Sequence, residues 1–297
     1  MADLTREAGE TLATTAPPQS YWRRVRKRFM RHKPAVFGLC FLVLMAIVVV
    51  FGPFVLPYGF DQQDYDLIGL PGPMNAEHWL GTDQLGRDAT TRLIYGGRVS
   101  LAVGLAGALV ATFLGTLIGA LAGFYRGWVD TILMRFTDIM LSIPPLPLVL
   151  LLSSLFRPSP PLLVGIIGGL IWMGTARLVR SQFLALRERE FVEAARALGA
   201  SGPRLIVRHI LPNAIGPITV AATLAVGSAI MTESALSFLG FGILPPTPSW
   251  GNLLNAASPW LSTAPWLAIA PGLCILLTVL SVNFLGDGLR DAMEPRE

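Results

Sequence analysis

Six apolar runs separated by polar islands organise this chain. Residues 35–56 carry no charge over 22 positions, and residues 99–125 carry none over 27. A helix rising ~1.5 Å per residue needs about 20 such positions to cross a hydrocarbon core ~30 Å thick. The remaining runs cover about 131–156, 162–178, 214–236 and 266–285. Pro144, Pro145 and Pro147 interrupt the third run and predict a kinked helix near a translocation path. Membrane helices tolerate such breaks where neighbours or water satisfy the freed backbone groups. Within the second run Gly107, Ala111, Gly115, Gly119 and Gly123 recur every fourth residue, a small stripe that admits a close helix partner. Just before it, residues 88–95 read as a short helix lying on the outer surface.

Composition strengthens the membrane reading. Of 297 residues 53% are hydrophobic and 14% charged, against about 25% charged in soluble domains. The chain is therefore read as an all-α integral membrane protein. Charge then orients it. Tyr21 to Lys33 holds seven Lys/Arg and no acid directly before the first run, which marks a cytoplasmic flank rather than a nucleic-acid patch. Seven arginines between Arg177 and Arg208 mark the same side. Six spans then place both termini in the cytoplasm and residues 58–98 and 237–265 outside. Residues 1–20 read as a disordered cytoplasmic tail. Residues 21–97 join the basic flank, first span and external segment, and 98–297 form a five-helix core. Trp250, Trp260 and Trp266 suit a membrane interface.

Little catalytic chemistry is visible. There is no Gly-x-x-x-x-Gly-Lys-Ser/Thr loop and no His-Glu-x-x-His, so neither an ATPase nor a metalloenzyme is expected, and no cofactor on this chain. Cys40 and Cys274 lie in apolar runs and read as small buried hydrophobes. Glu77, Asp83 and Asp88 allow a cation site, but capping and solvated loop carboxylates are the preferred reading. Arg135 and Asp138, three apart, are expected to pair on one helix face. Glu233 lies in the fifth run, twenty residues after Asn213, or ~30 Å along a helix, near the external interface. It reads as lining the outer part of a substrate path, where it attracts a cationic group or closes a gate. The alternative is a carboxylate paired with a partner subunit or hydrated at the helix end. An ion-gradient transporter would use Glu233 or Asp138 as its proton site.

The polar island from Glu190 to Asn213 carries the most information. Phe191 to Leu198 has good helix formers and ends at Gly199, where a C-terminal glycine belongs. Ser201 offers an N-cap and Pro203 suits the first turn of a second helix. That helix is expected to stop at Leu211-Pro212-Asn213. The result is an elbow on which a soluble partner can push. Ala194 and Ala195 allow close approach, and Glu193 and Arg196 add specificity. An ordinary amphipathic loop is the plain alternative.

Glu193, Ala194 and Ala195, then Gly199 and the closing Leu211-Pro212, resemble the EAA loop of ABC importer permeases. One departure is His209, where the general pattern has isoleucine; Ile210 follows. The His-Ile-Leu-Pro form is similar to the peptide and nickel branch. Gly81, Thr82, Asp83, Leu85, Gly86, Arg87 and Asp88, with the stretches Leu236 to Ala257 and Asn283 to Pro295, resemble the dipeptide/oligopeptide (DppC/OppC-type) subunits of that branch. The resemblance runs from about Tyr21 onward. It implies a type I, MetI-like permease with six transmembrane helices in a prokaryotic inner or plasma membrane. It also implies a homologous second permease subunit, two cytoplasmic ATP-binding subunits that carry ATP and Mg, and an extracellular solute-binding protein. Glu193, Ala194, Ala195, Arg196, Gly199, Leu211 and Pro212 would form the ATPase-coupling surface. The implied cargo is a di- or oligopeptide; close relatives serve nickel chelates, glutathione or opine-like solutes.

Overall fold

The computed structural model describes residues 21–156 and 159–293. The tail expected at 1–20 lies outside the described residues. Helix α1 (Tyr21–Phe29) and helix α2 (Lys33–Val55) meet at a joint where His32 caps α2. Its Nδ1 accepts from the Ala35 amide at 3.2 Å, and Pro34 occupies the first turn, where a missing N–H costs nothing. Pro53 removes the amide that would bond the Val49 carbonyl. Arg98 fills the gap: its Nε donates to Val49 O at 2.5 Å and its Nη2 to Val50 O at 2.5 Å.

The segment after α2 contains two strands the hydrophobic pattern did not predict. Strand β1 (Gln63–Ile68) pairs antiparallel with β2 (Leu85–Arg87). Helix α3 follows as one continuous element, Ala89–Tyr125, of 37 residues. The expected short surface helix at 88–95 and the second span are thus a single helix about 55 Å long. Nothing breaks it because Gly96 and Gly97 are needed inside it: a Cβ on Gly97 would sit 2.6 Å from Val49 Cγ1 and 3.0 Å from the Trp250 ring.

Helices α4 (Gly127–Ser142) and α5 (Pro145–Leu155) meet at 85°. The prolines therefore turn the third run sharply instead of kinking one straight span. Helix α6 (Pro160–Arg187) leads into α7 (Glu190–Ala197). After a single turn at Gly202–Arg204 and a π-helical stretch, Leu205–Ile210, comes α8 (Leu211–Phe238). Helices α9 (Trp250–Ala257) and α10 (Trp266–Met293) complete the chain. Among the described residues five helices are long and apolar enough to cross a membrane, or six when the bent α4–α5 pair is counted as one span.

The small stripe finds its partner in α6. A Cβ on Gly115 would lie 2.7 Å from the Trp172 carbonyl, one on Gly119 2.8 Å from Val179 Cβ, and one on Gly123 2.6 Å from Phe183 Cβ. The two backbones meet along this seam, where dispersion replaces the hydrophobic effect as the force that holds helices together in lipid. Val103, Leu163, Ile167, Ala229 and Leu236 form one buried cluster; Phe124, Phe183, Val192, Leu205 and Ile210 form another at the far end of the seam.

Several expectations change. Asp138 pairs with Arg177 of α6 at 2.6 Å rather than with Arg135, because α6 runs alongside α4 and presents a guanidinium across the gap. Arg180 makes a two-pronged contact with Asp130 at 2.5 and 2.7 Å one turn further on. Cys40 is exposed and Cys274 half-buried, so neither is a fully buried hydrophobe. Trp250 is fully buried, its Nε1 donating to the Leu93 carbonyl at 3.1 Å, so it serves packing and not an interface.

Candidate coupling elbow and the carboxylate at the far end of its helix

Residues 190–213 fold as an elbow with one buried and one free side. Gly199 closes α7 at φ +83°, a conformation glycine adopts without penalty. The closing bonds are Gly199 N to Arg196 O at 3.0 Å and Ala200 N to Ala195 O at 3.1 Å, the paired pattern of a Schellman motif. Ser201 sits at the next N-cap as expected, but its hydroxyl makes no cap bond; its carbonyl accepts from Leu205 N at 2.9 Å. Val192, Leu205 and Ile210 turn inward onto Phe124 and Phe183. Arg187 donates to the Phe124 carbonyl and stacks over its ring at 5.7 Å, and Arg126 meets Glu188 at 2.9 Å. The elbow is thereby fastened to the end of the α3–α6 seam.

On the free side Glu193, Ala194 and Arg196 are exposed, Ala195 is half-buried, and Leu198 is 90% exposed. The structure corrects the expected stop at Leu211-Pro212. Backbone helicity continues from Gly202 through Phe238 without a break. Pro212 lacks an amide, and just before it the chain takes π geometry, with Leu211 N bonded to Ile206 O, five residues back. The wider turn absorbs the proline at the start of α8, where prolines are tolerated. Leu211 and Pro212 thus join the elbow to the span instead of ending it.

Glu233 lies 22 residues beyond Leu211 on the same helix, about 33 Å away. Its solvent exposure is 0%. Ser100 of α3 donates to Oε2 at 2.9 Å, Ser237 donates to Oε1 at 2.7 Å, and Ser234 lies 3.4 Å from Oε2. Each of the first two hydroxyls also accepts a backbone amide: Trp250 N at 3.1 Å on Ser100 and Ile243 N at 3.1 Å on Ser237. Asn252 donates to the carbonyls of Ile243 and Thr247, and Ser249 and Asn252 form a capping box at the start of α9. The carboxylate expected to line a path is instead enclosed, and it organises the turn between α8 and α9.

A cavity of about 1170 Å³ opens beside the elbow end of α8, walled by α6, α8 and α10. Leu178, Gln182, Pro212, Asn213, Leu224 and Arg290 are on its surface; Glu233 is not. Sequence reasoning missed Gln182, Asn213 and Ser228, which also face it. Their one signal was polarity near or within an apolar run. Of the acidic residues near β2, Asp88 is a cap as expected, but neither it nor Asp83 is a solvated loop carboxylate, because both are held against other side chains. Asp88 caps α3, accepting from Thr91 N at 2.6 Å, and bonds His78 Nδ1 at 2.9 Å; Asp83 receives Arg87 at 2.8 Å. Among the described residues no group of three His, Cys, Asp or Glu is placed to hold a metal.

Fold and elbow together define a multi-pass membrane permease. Residues 115–297 match the family of binding-protein-dependent transport system inner membrane components, and residues 20–73 match the N-terminal transmembrane domain of oligopeptide transport permease C. The chain belongs to the binding-protein-dependent inner membrane component family. It is 42% identical to the oligopeptide transport system permease protein OppC of Escherichia coli K12, over 94% of this chain and 92% of that one. It is 40% identical to the OppC protein of Haemophilus influenzae, covering 94% and 90%. It is also 40% identical to the dipeptide transport system permease protein DppC of Alkalihalophilus pseudofirmus, covering 93% and 90%. Among solved structures it resembles the inward-facing MetNI methionine ABC transporter, with TM-score 0.51 and 18% identity over 68% of this chain and 96% of that one. That likeness extends to the fold. The MetI-like architecture, the inner-membrane location and the role of a permease subunit rather than an ATPase follow from family membership. Transporters of this family work with ATPase and binding-protein partners.

Proposed function

We propose that this chain is one of two homologous permease subunits in an ATP-driven importer of di- or oligopeptides, and that its elbow is the socket for a cytoplasmic ATP-binding subunit. The two-sidedness of the elbow carries the reading: Val192, Leu205 and Ile210 are buried, while Glu193, Ala194, Arg196 and the apolar tip Leu198 are exposed among the described residues. An apolar tip held out by a capped, fastened helix is a contact surface awaiting a partner. Two partner subunits that hold ATP and Mg would close and push α7. Val192 of α7 packs in one cluster with Leu205 and Ile210, and from Gly202 the helix runs unbroken into α8, so that displacement would reach the cavity wall. A solute-binding protein would deliver cargo at the β1–β2 end, and both termini would lie on the elbow side. The cavity supports a peptide cargo: Gln182, Asn213 and Ser228 can hydrogen-bond a peptide backbone, and the mainly apolar wall tolerates varied side chains. The printed names of the similar OppC and DppC proteins support the same cargo.

The test is uptake of labelled peptide by the complete transporter in vesicles. Ala195→Arg and Leu198→Asp should insert normally, lose co-purification of the ATP-binding subunit and lower uptake by about tenfold, as expected for a few lost contacts at one interface. Normal uptake with both substitutions at equal abundance would remove the elbow from coupling. Orientation has its own assay. With Cys40 and Cys274 replaced by serine, Gln62→Cys should react with an impermeant thiol reagent in spheroplasts and Ala185→Cys should not; the reverse pattern would invert the topology.

A further inference from the structure

The basic flank is more than a charge signal, because the structure gives it a fixed seat. Val25 is buried, and Phe29 lies within reach of a Cβ placed at Gly288 of α10, at 3.3 Å. His32 Nε2 lies 3.6 Å from Asp291 Oδ2. Near the same end of α10, Met293 Sδ approaches the Cβ position of Gly216 on α8, at 3.3 Å. Helix α1 is therefore docked at the elbow end of the bundle, with Val25 and Phe29, one turn apart, facing inward. On the other face Arg23, Arg24, Arg26 and Lys27 are exposed, and Arg31 and Lys33 continue the charge to the joint.

The next helix shows what lies beside this face. Phe37, Leu44, Phe51 and Phe54 of α2 are exposed, an apolar surface of the kind that faces the hydrocarbon core of a bilayer. Helix α1 joins α2 at its elbow-side end, where acyl chains give way to headgroups. A flank that only set topology would need charge but no docked helix and no apolar face held against α10. The stretch from Tyr21 to Lys33 itself contains no acid. We propose that the exposed face of α1 is a binding surface for the anionic phospholipid headgroups of the elbow-side leaflet. The docked helix holds several cations on the side away from α10, so phosphates bind without first ordering a chain. This proposal requires that the chain spans a bilayer; it does not require a peptide cargo or an ATPase at the elbow.

The experiment uses the full chain in its assembled transporter, with Met30→Cys labelled in a background lacking Cys40 and Cys274. Vesicles are phosphatidylcholine with a minor fraction of phosphatidylglycerol, and energy transfer is compared between acyl-labelled phosphatidylglycerol and acyl-labelled phosphatidylcholine. The expected result is several-fold enrichment of phosphatidylglycerol around the label, since one cation at a headgroup layer changes partition by about fivefold. Enrichment should fall toward unity at ~1 M salt, where the Debye length is ~3 Å, and in the variant with Arg23, Arg24, Arg26 and Lys27 all changed to Gln. If that variant fails to insert, the pair Arg24→Gln and Lys27→Gln should still lower enrichment measurably. Equal transfer to both lipids, or enrichment indifferent to salt and to these substitutions, overturns the proposal. Enrichment in the isolated subunit that disappears in the assembled transporter also overturns it, by assigning the face to an acidic protein partner.

Discussion

The two ends of α8 handle polar groups in opposite ways. At the Glu233 end a carboxylate is fully enclosed, and hydroxyls from α3 and α8 pass its hydrogen bonds on to the amides of Trp250 and Ile243. At the elbow end the charged side chains of α7 are exposed and the apolar ones are divided between core and surface. In the linear sequence Glu193 and Glu233 look alike, each a glutamate followed by two small residues. Their surroundings give them different work. Glu233 is satisfied within the chain and stabilises it, whereas Glu193 leaves its capacity for contact available to another molecule.

This contrast orders a set of substitutions by effect on stability. Glu233→Ala should be the most damaging, by on the order of 3 kcal/mol, because it leaves Ser100 and Ser237 without their acceptor and opens a void. Glu233→Gln, which keeps shape and one acceptor, should cost about 1 kcal/mol. Thermal unfolding of the purified chain measures both, and a wild-type melting curve for Glu233→Ala would end the distinction between the two ends. Gly199→Val places a β-branched residue at φ +83° and should cost roughly 1–2 kcal/mol. That cost should stay local: hydrogen exchange is expected to quicken across 190–200 and remain unchanged around 233–252. Accelerated exchange at both ends would mean that they form one cooperative unit.

Asp130→Asn weakens the two-pronged contact to Arg180, which is partly open to solvent, so about 0.5–1 kcal/mol is expected, shrinking as salt is added. Chemical denaturation at two ionic strengths distinguishes this from a packing defect. Leu198→Asp should be nearly silent, within about 0.5 kcal/mol, since the side chain touches almost nothing in this chain. Silence in stability joined to loss of coupling is the sharpest form of the comparison. A large stability loss from Leu198→Asp would show that the tip is structural.

What the sequence reveals follows from how local each cause is. Apolar runs, the C-terminal glycine of α7 and the small stripe on α3 are visible because helix periodicity and backbone conformation are set within a few residues. The partner of the stripe is not visible, since Trp172, Thr175 and Val179 lie some sixty residues further along. The buried state of Glu233 is hidden for the same reason. Distance along the helix correctly placed it near one end, but Ser100, its donor from α3, is 133 positions away. Asp138 was assigned to Arg135 because local spacing offers a partner, yet tertiary packing supplies Arg177. The strands β1 and β2 lack a clean alternation and owe their pairing to the turn geometry around Asp83 and Gly86. In the elbow, the closing glycine of α7 is legible, whereas the helical course through Pro212 is not, because the π turn that absorbs the proline lies in the packed stretch from Leu205 to Ile210.

The π turn at Leu205–Ile210 sets a rule for chain length. Leu205 and Ile210 are five apart, yet both are buried in the same cluster with Ala214. In an α-helix, five residues advance about 140° beyond a full turn, which would point one of them away from the core. The extra residue thus keeps the elbow and α8 in phase. Deleting any one position between 205 and 210 would leave two intact helices whose faces are rotated about 100° against each other. Related chains are expected to vary in side chain along this stretch while conserving its count of residues.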